Sequence, residues 1–512
     1  MKKLLSLVLG VSLIFGMCAC GMVKSDMNSA YDGGSGYAPN LNGAITDGES
    51  YGGESYTEIA ENKFVSTQEK PSSYFSIDAN TASYPNLRRL INNSKNVAAI
   101  DKNAVRVEEM LNYFDYDYQT PTDDSVLSLT SSVFDTPYNP ETKLLTVGLA
   151  AEEVELSGVR NNLVFLIDVS GSMAADNKLP LVQQAFTLLV ESLNPEDRVS
   201  IVTYASGDSV ALSGAFGYEK QKIIAAIEDL TAGGSTAGSK GINRAYQLAE
   251  EYFIEGGNNR VILATDGDFN VGVSSVEGLE QLISEKRQSG VYFSVYGFGS
   301  GNIQSDKMER LALSGNGIYS YIDSVKEARR ALVEDIGGSI ITVAKDVKAS
   351  ITFNPEYVES YRLIGYENKL LTEEQFNDSN TDAGELGSGH TVTVVYEIVM
   401  TEKALEEGDK IADVIVRYKP VTRQGVAISI EDEITLTVGT EAYHTELTAV
   451  DTFVASVVEF ALILRNSEYK AQSDLNALIT RLSELDFSDD EIKGEFYELV
   501  VLYREKLEGG KG

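Results

Sequence analysis

Apolar and polar positions from about residue 161 onward follow two alternating patterns. Residues 163–167 and 261–264 are continuous apolar runs, as expected of strands buried on both faces of a parallel sheet. Residues 199–204 and 292–298 read as further strands. Residues 181–193, 223–230, 242–253, 276–287 and 326–336 carry apolar side chains at helical spacing. Repeated strand–helix units predict an α/β fold, a doubly wound parallel sheet with helices on both faces.

The flanks read differently. Upstream, 86–92 and 105–114 are helical in pattern, with Val107, Met110, Leu111 and Phe114 on one face. Residues 126–134 and 144–150 follow as strands, separated by Pro137 and Pro140. Downstream, 347–353, 391–400, 411–418 and 428–438 read as antiparallel strands. Residues 449–465, 475–485 and 492–507 read as helices. Strands thus flank the α/β unit on both sides. They are expected to share one β-sandwich into which the α/β domain is inserted, which is easy when a domain's termini lie close together.

Lys2 and Lys3 precede a mostly apolar stretch, 4–15, that is too short to span a membrane as a mature helix. Residues 1–19 read as an export signal, outside the fold. Residues 20–72 are rich in Gly, Ser, Asn, Tyr and acids, with no sustained period, and read as a flexible linker. The expected parts are then 73–150 (helices followed by strands), 160–341 (the α/β domain), 342–447 (β-rich) and 448–507 (helical).

Composition narrows the function. The chain has 512 residues, 43% hydrophobic and 23% charged, which excludes a wholly disordered chain and a multi-span membrane protein. A net charge of -35 repels phosphate backbones, so nucleic acid is not expected as a partner. With 2 Cys, 2 His and no Trp, neither a disulfide framework nor a Cys/His zinc site is available. His-based general-base chemistry has little material to work with.

The chemistry gathers in three loops. Asp168-Val169-Ser170-Gly171-Ser172-Met173 ends the first α/β strand, and Thr265-Asp266-Gly267-Asp268 ends the strand at 261–264. Gly233-Gly234-Ser235-Thr236 lies between them in sequence. Ligand sites of open α/β sheets form beyond the carboxyl ends of strands, so these loops are expected to converge. They would bring together the carboxylates of Asp168 and Asp266 and the hydroxyls of Ser170, Ser172 and Thr236. Such hard oxygen donors suit Mg²⁺ or Mn²⁺ rather than zinc or copper. The same residues could also form a hydrogen-bonded network without metal.

Asp-x-Ser-x-Ser, a distant Thr and a later Thr-Asp-Gly resemble the metal-ion-dependent adhesion site of von Willebrand factor type A domains, a group that includes integrin ligand-binding domains. The resemblance implies direct metal contacts from Ser170, Ser172 and Thr236. It implies direct or water-mediated contacts from Asp168 and Asp266, and an outer supporting role for Asp268. It further implies that a carboxylate from a partner protein completes the metal's shell. Asp176 sits where some integrin relatives place an acid of an adjacent cation site, but Ala175 fills the companion position, and a solvated loop carboxylate is expected.

Residues 75–84 and 104–114, with 361–368 and 382–390, are similar to the flanking regions of bacterial YfbK-type proteins. Met17-Cys18-Ala19-Cys20 resembles a bacterial lipobox, implying cleavage before Cys20 and lipid attachment to its sulfur. A plain secretory signal is the alternative. The resemblance to type A domains also implies that the last helix of the domain, about 326–341, can shift when the site is liganded.

The expected function is therefore that of an exported lipoprotein, anchored on the outer face of a membrane or envelope, that binds an exposed carboxylate of a partner protein through a divalent cation. A structural envelope protein without a metal-gated ligand is the alternative. A Mg²⁺-dependent hydrolase stands further off, since there is no Walker-type lysine loop and neither His390 nor His444 lies near the motif. No catalytic residue, and no enzyme activity, is expected.

Overall fold

The computed structural model describes residues 53–122, 125–154, 159–205, 207–234, 238–267, 276–334, 341–422 and 428–509. The signal at 1–19 and Cys20 lie outside the described residues, as do Thr236 and Asp268.

Six strands form the central α/β sheet, in the order Tyr319–Ile322, Val291–Phe298, Asn258–Thr265, Asn161–Asp168, Arg198–Tyr204 and Asp208–Phe216. All neighbours run parallel except the last pair. Side-chain parity explains why both faces are covered. Leu163, Phe165 and Ile167 point to one face and pack with helices Leu179–Ser192 and Lys220–Glu228. Val164 and Leu166 point to the other and pack with helices Gly238–Glu251, Val276–Lys286 and Ser305–Ser314. A strand buried on both sides has no polar register, hence the unbroken apolar run.

The flanking strands interleave in two antiparallel-rich sheets. One runs Val65–Ser66, Val358–Ile364, Thr391–Met400, Lys143–Ala151, Leu127–Asp135, Tyr443–His444. The other runs Gly384–Gly387, Thr342–Phe353, Lys410–Pro420, Asp432–Gly439, with Ser72–Ser76 also paired to Thr342–Phe353. Strands from before and after the α/β unit thus share both sheets, and a common apolar cluster that includes Phe75, Val147, Ile351 and Tyr396 fills the space between them. On the other face of the first sheet, toward the helical layer, Arg362 pairs with Glu397 at 2.6 Å, at 2% and 0% exposure, and its guanidinium lies over the Tyr469 ring at 4.1 Å.

A helical layer completes the structure. Ser83–Asn93 and Val107–Leu111 pack against Ala449–Arg465, Leu475–Ser483 and Glu491–Gly509. Phe114, Phe453 and Phe496 meet edge to face with centroids 5.0–5.4 Å apart. Thr448 caps the Ala449–Arg465 helix reciprocally with Asp451, and Asn466 ends it in a left-handed conformation.

Three expectations need correction. The fold does not wait for residue 73. Glu54 pairs with Arg89 at 2.9 Å, Val65–Ser66 pairs with Val358–Ile364, and Asn62 Nδ2 donates to the carbonyls of Leu363 and Gly365. These are point attachments of an irregular chain, so no period announces them. The last α/β helix also changes character along its described length. Val325–Arg329 is α-helical, Arg330–Glu334 is a π turn, and 335–340 lie outside the described residues. Finally, the edge strand Asp208–Phe216, the strand Tyr319–Ile322 and the helix Ser305–Ser314 had no counterpart in the pattern-based expectation.

That last helix is held firmly. Arg88, from Ser83–Asn93, grips Asp323 through Nε and Nη2 at 2.8 and 2.7 Å and reaches Glu327 at 2.9 Å. Tyr113 donates to the same Glu327 carboxylate at 2.6 Å.

Candidate metal centre

Asp168 is the final residue of its strand and is completely buried. The strand stops there because the chain turns into an Asx-type loop. Asp168 Oδ1 accepts from the Ser170 backbone N–H at 2.8 Å. Oδ2 accepts from the hydroxyls of Tyr204 at 3.2 Å and Thr265 at 3.4 Å, the last residues of the two neighbouring strands. The carboxylate is therefore oriented from three directions. Burial, with the Asp266 charge in addition, pushes its pKa up to about 6 against the hydrogen bonds from Ser170 and Tyr204.

Ser170 precedes the short turn Gly171–Ala174 and Ser172 lies within it, their hydroxyls 3.0 Å apart. The chain leading to Thr236 is stapled to the same loop. The Gly233 N–H donates to Val169 O at 2.7 Å, and the Gly171 N–H to Gly234 O at 3.1 Å. Asp266, completely buried, follows the strand Asn258–Thr265. Gly267 after it has φ +94°, and a Cβ there would lie 2.5 Å from Asn302 O. Glycine is needed at that position both for its conformation and for this close approach.

The structure thus brings Asp168, Ser170, Ser172 and Asp266 to one end of the sheet. Asp176 is exposed. His390 lies elsewhere, half-buried, its Nδ1 accepting from the Gly387 N–H at 3.3 Å, and burial pushes its pKa down to about 4. His444 sits in a two-residue strand beside Phe134.

Two site residues escaped sequence analysis. Lys178 Nζ lies 2.7 Å from Asp266 Oδ2, and Asn302 Nδ2 reaches the same oxygen at 3.4 Å. Lys178 lies across Gly299, where a Cβ would fall 2.4 Å from its Cγ. A lysine ten residues beyond Asp168 carries no spacing signal of its own. The glycine at 299, far away in sequence, is its companion.

The donor set fits a hard divalent cation. Among the described residues no group of three or more His, Cys, Asp or Glu is placed to hold a metal. The candidates here are two carboxylates combined with hydroxyls, all oxygen, as Mg²⁺ prefers. No cationic side chain pairs with Asp168 among the described residues, whereas Asp266 has Lys178.

Comparison with known proteins places this geometry in context. The von Willebrand factor type A domain family matches residues 162–335, and a von Willebrand factor family matches 50–146. The family described as Uncharacterized protein YfbK, C-terminal, matches 338–505. The chain is 40% identical over 373 residues to the Uncharacterized protein YfbK of Escherichia coli (strain K12), covering 71% of this chain and 63% of that protein. The chain belongs to the YfbK-type proteins with a von Willebrand factor type A domain. The chain is also 26% identical over 276 residues to inter-alpha-trypsin inhibitor heavy chain H3 of Homo sapiens, covering 49% of this chain and 30% of that protein. The chain therefore spans less than two thirds of the length of these relatives. Among solved structures, von Willebrand factor type A from Catenulispora acidiphila aligns with 76% of this chain and 91% of its own, at 16% identity and a TM-score of 0.42. The type A domain points to a protein–protein interaction or adhesion-type role. Type A domains commonly bind a divalent metal.

Proposed function

We propose that the type A domain holds Mg²⁺ or Mn²⁺ between Asp168, Ser170, Ser172, Thr236 and Asp266 and uses it to bind an Asp or Glu carboxylate of a partner protein. Asp268 would support the shell from outside. One observation carries this reading. Two fully buried carboxylates converge with two serine hydroxyls at the carboxyl end of the sheet, and only one of the two has a cationic partner among the described residues. A cation there relieves the unmatched charge, and because Mg²⁺ demands nearly octahedral coordination, a position remains for a ligand oxygen.

The partner is best described as a basic surface around one exposed carboxylate, since a chain of net charge -35 repels acidic proteins at long range. We place the protein outside the cell membrane, exported by 1–19 and anchored through lipid on Cys20. No helix among the described residues is long and apolar enough to cross a membrane.

Calorimetric titration of Mg²⁺ and Mn²⁺ into the purified protein, beside an Asp168→Ala variant, tests the proposal. Saturable binding lost in the variant is expected, and absence of binding would defeat it. A second reading draws on the Lys178–Asp266 pair, which already neutralises one carboxylate. In that reading the loops form a metal-free network and the domain only organises its neighbours in the envelope. Partner binding insensitive to chelator would favour it.

A further inference from the structure

The end of the type A sheet away from Asp168 faces a different cavity, of about 550 Å³. It is walled by the amino end of Asn258–Thr265, the helix Ser305–Ser314, the 76–80 segment and the sandwich segments at 368–371 and 382–390. Its volume is that of a small-molecule site. Arg260, in the wall, is paired in register with Leu163, five residues back along the strand from Asp168, or roughly 16 Å.

Arg260 is unusual among the charges here. It is 3% exposed. Nη1 donates to Ser294 Oγ at 2.6 Å, while Nε has no acceptor among the described residues. The Tyr292 ring centroid lies 5.4 Å from its Cζ, and Lys345 Nζ lies 4.7 Å from the same centroid. Glu385 acts on Arg260 through its charge, yet is itself paired with Lys345 at 3.4 Å. Other acids of the wall are also matched. Asp78 and Glu309 share Lys369 at 2.9 and 3.0 Å, and Asp382 pairs with Arg287 at 3.1 Å. Asp306 contributes a buried Oδ1 with no hydrogen-bond partner among the described residues. Once the charges are sorted into pairs, the Arg260 guanidinium, whose buried Nε lacks an acceptor, and the Asp306 carboxylate remain among the described residues.

A buried cation without a counter-ion is strongly unfavourable, and a planar carboxylate is the natural partner of a guanidinium edge. We infer that this cavity is a binding site for a small monocarboxylate of amino-acid size, anchored on Arg260. Burial lowers the guanidinium's pKa from its ordinary value, and the charge of Glu385 only partly offsets this. The acids in the wall repel polyanions. The free oxygen of Asp306 adds an acceptor for a ligand ammonium.

The test is an NMR titration of acetate, glycine and inorganic phosphate into the purified full chain, in metal-stripped buffer at constant ionic strength. Because no metal is present, its outcome is independent of the proposal for Asp168. Saturable binding of acetate or glycine is expected, with phosphate weaker. Arg260→Gln is expected to weaken carboxylate binding about tenfold or more. Leu313→Glu, at the 40% exposed rim position, places a repelling charge at the entrance without touching the core and is expected to weaken it too. It decides the matter should Arg260→Gln fail to fold. No saturable carboxylate binding, phosphate binding as tight as acetate, or binding indifferent to substitution overturns the inference.

Discussion

The Lys178 ammonium and the Asp266 carboxylate form an ion pair at 2.7 Å, with side chains only 8% and 0% exposed. With this pair in place, the two carboxylates and the lysine together carry one negative charge, and a bound divalent cation would leave the cluster net positive. The lysine therefore opposes the metal and favours the anion that the metal would hold.

Lys178→Met separates these two effects. Metal-free stability is expected to fall by about 3 kcal/mol, because a buried carboxylate loses its partner. Mg²⁺ affinity is expected to rise about tenfold. Binding of a carboxylate-bearing partner at saturating Mg²⁺ is expected to weaken. Calorimetry reads both affinities, and unchanged Mg²⁺ binding would remove Lys178 from the electrostatics of the site.

Asp168 makes a pH-dependent prediction. Burial, with Asp266 nearby, raises its pKa to about 6. An acid whose folded pKa lies above its unfolded one destabilises the fold when ionised. The penalty is present above about pH 6 and disappears as pH falls toward the ordinary carboxylate range. Asp168→Asn is therefore expected to stabilise the metal-free protein at pH 7 by about 2–3 kcal/mol, with little effect at pH 4. Urea midpoints of both proteins at the two pH values check this, and an equal effect at both would contradict it.

Gly267→Ala is expected to cost about 2 kcal/mol or more, since φ is +94° and the new Cβ meets Asn302 O at 2.5 Å. The strain falls directly beside Asp266. Loss of Mg²⁺ affinity should therefore accompany the lowered urea midpoint.

Arg88→Ala removes the fork on Asp323 and one of the contacts to Glu327, which is 1% exposed. Stability should drop by about 3 kcal/mol. Amide exchange across Val325–Arg329 should quicken more than exchange in the central strands. Uniform acceleration would mean that the helix is held by its packing rather than by this clamp.

Arg362→Met isolates Glu397 beneath the helical layer, where Asn139 and Thr142 also donate to it. A loss of about 3–5 kcal/mol is expected, recovered in large part by the double variant Arg362→Met with Glu397→Leu. Chemical denaturation of the single and double variants measures both.

The central sheet was legible because strands buried on both faces lose all polar alternation, as in 163–167. Asp168, Ser170, Ser172 and Asp266 could be placed from sequence because each ends or follows such a strand. Asp208–Phe216 was not legible. It is a half-exposed edge strand, irregular near Gly214 at φ +56°, and its apolar residues follow no clean period. Lys178 and Arg260 were missed for a common reason. The significance of a buried charge lies in what does or does not stand opposite it, and for these two the partners come from Asp266, Gly299, Ser294 and Tyr292, none adjacent in sequence.

The first described residues do more than lead into the fold. Glu54 accepts from the Gly301 N–H at 2.8 Å and the Ser55 N–H donates to Ile303 O at 2.9 Å, on either side of the Asn302 that touches Asp266. Tension applied through the chain upstream of Glu54 would therefore arrive at the 301–303 loop before reaching any sheet. A protein tethered by that end and gripping a partner by the other would feel the pull within a few bonds of the grip itself.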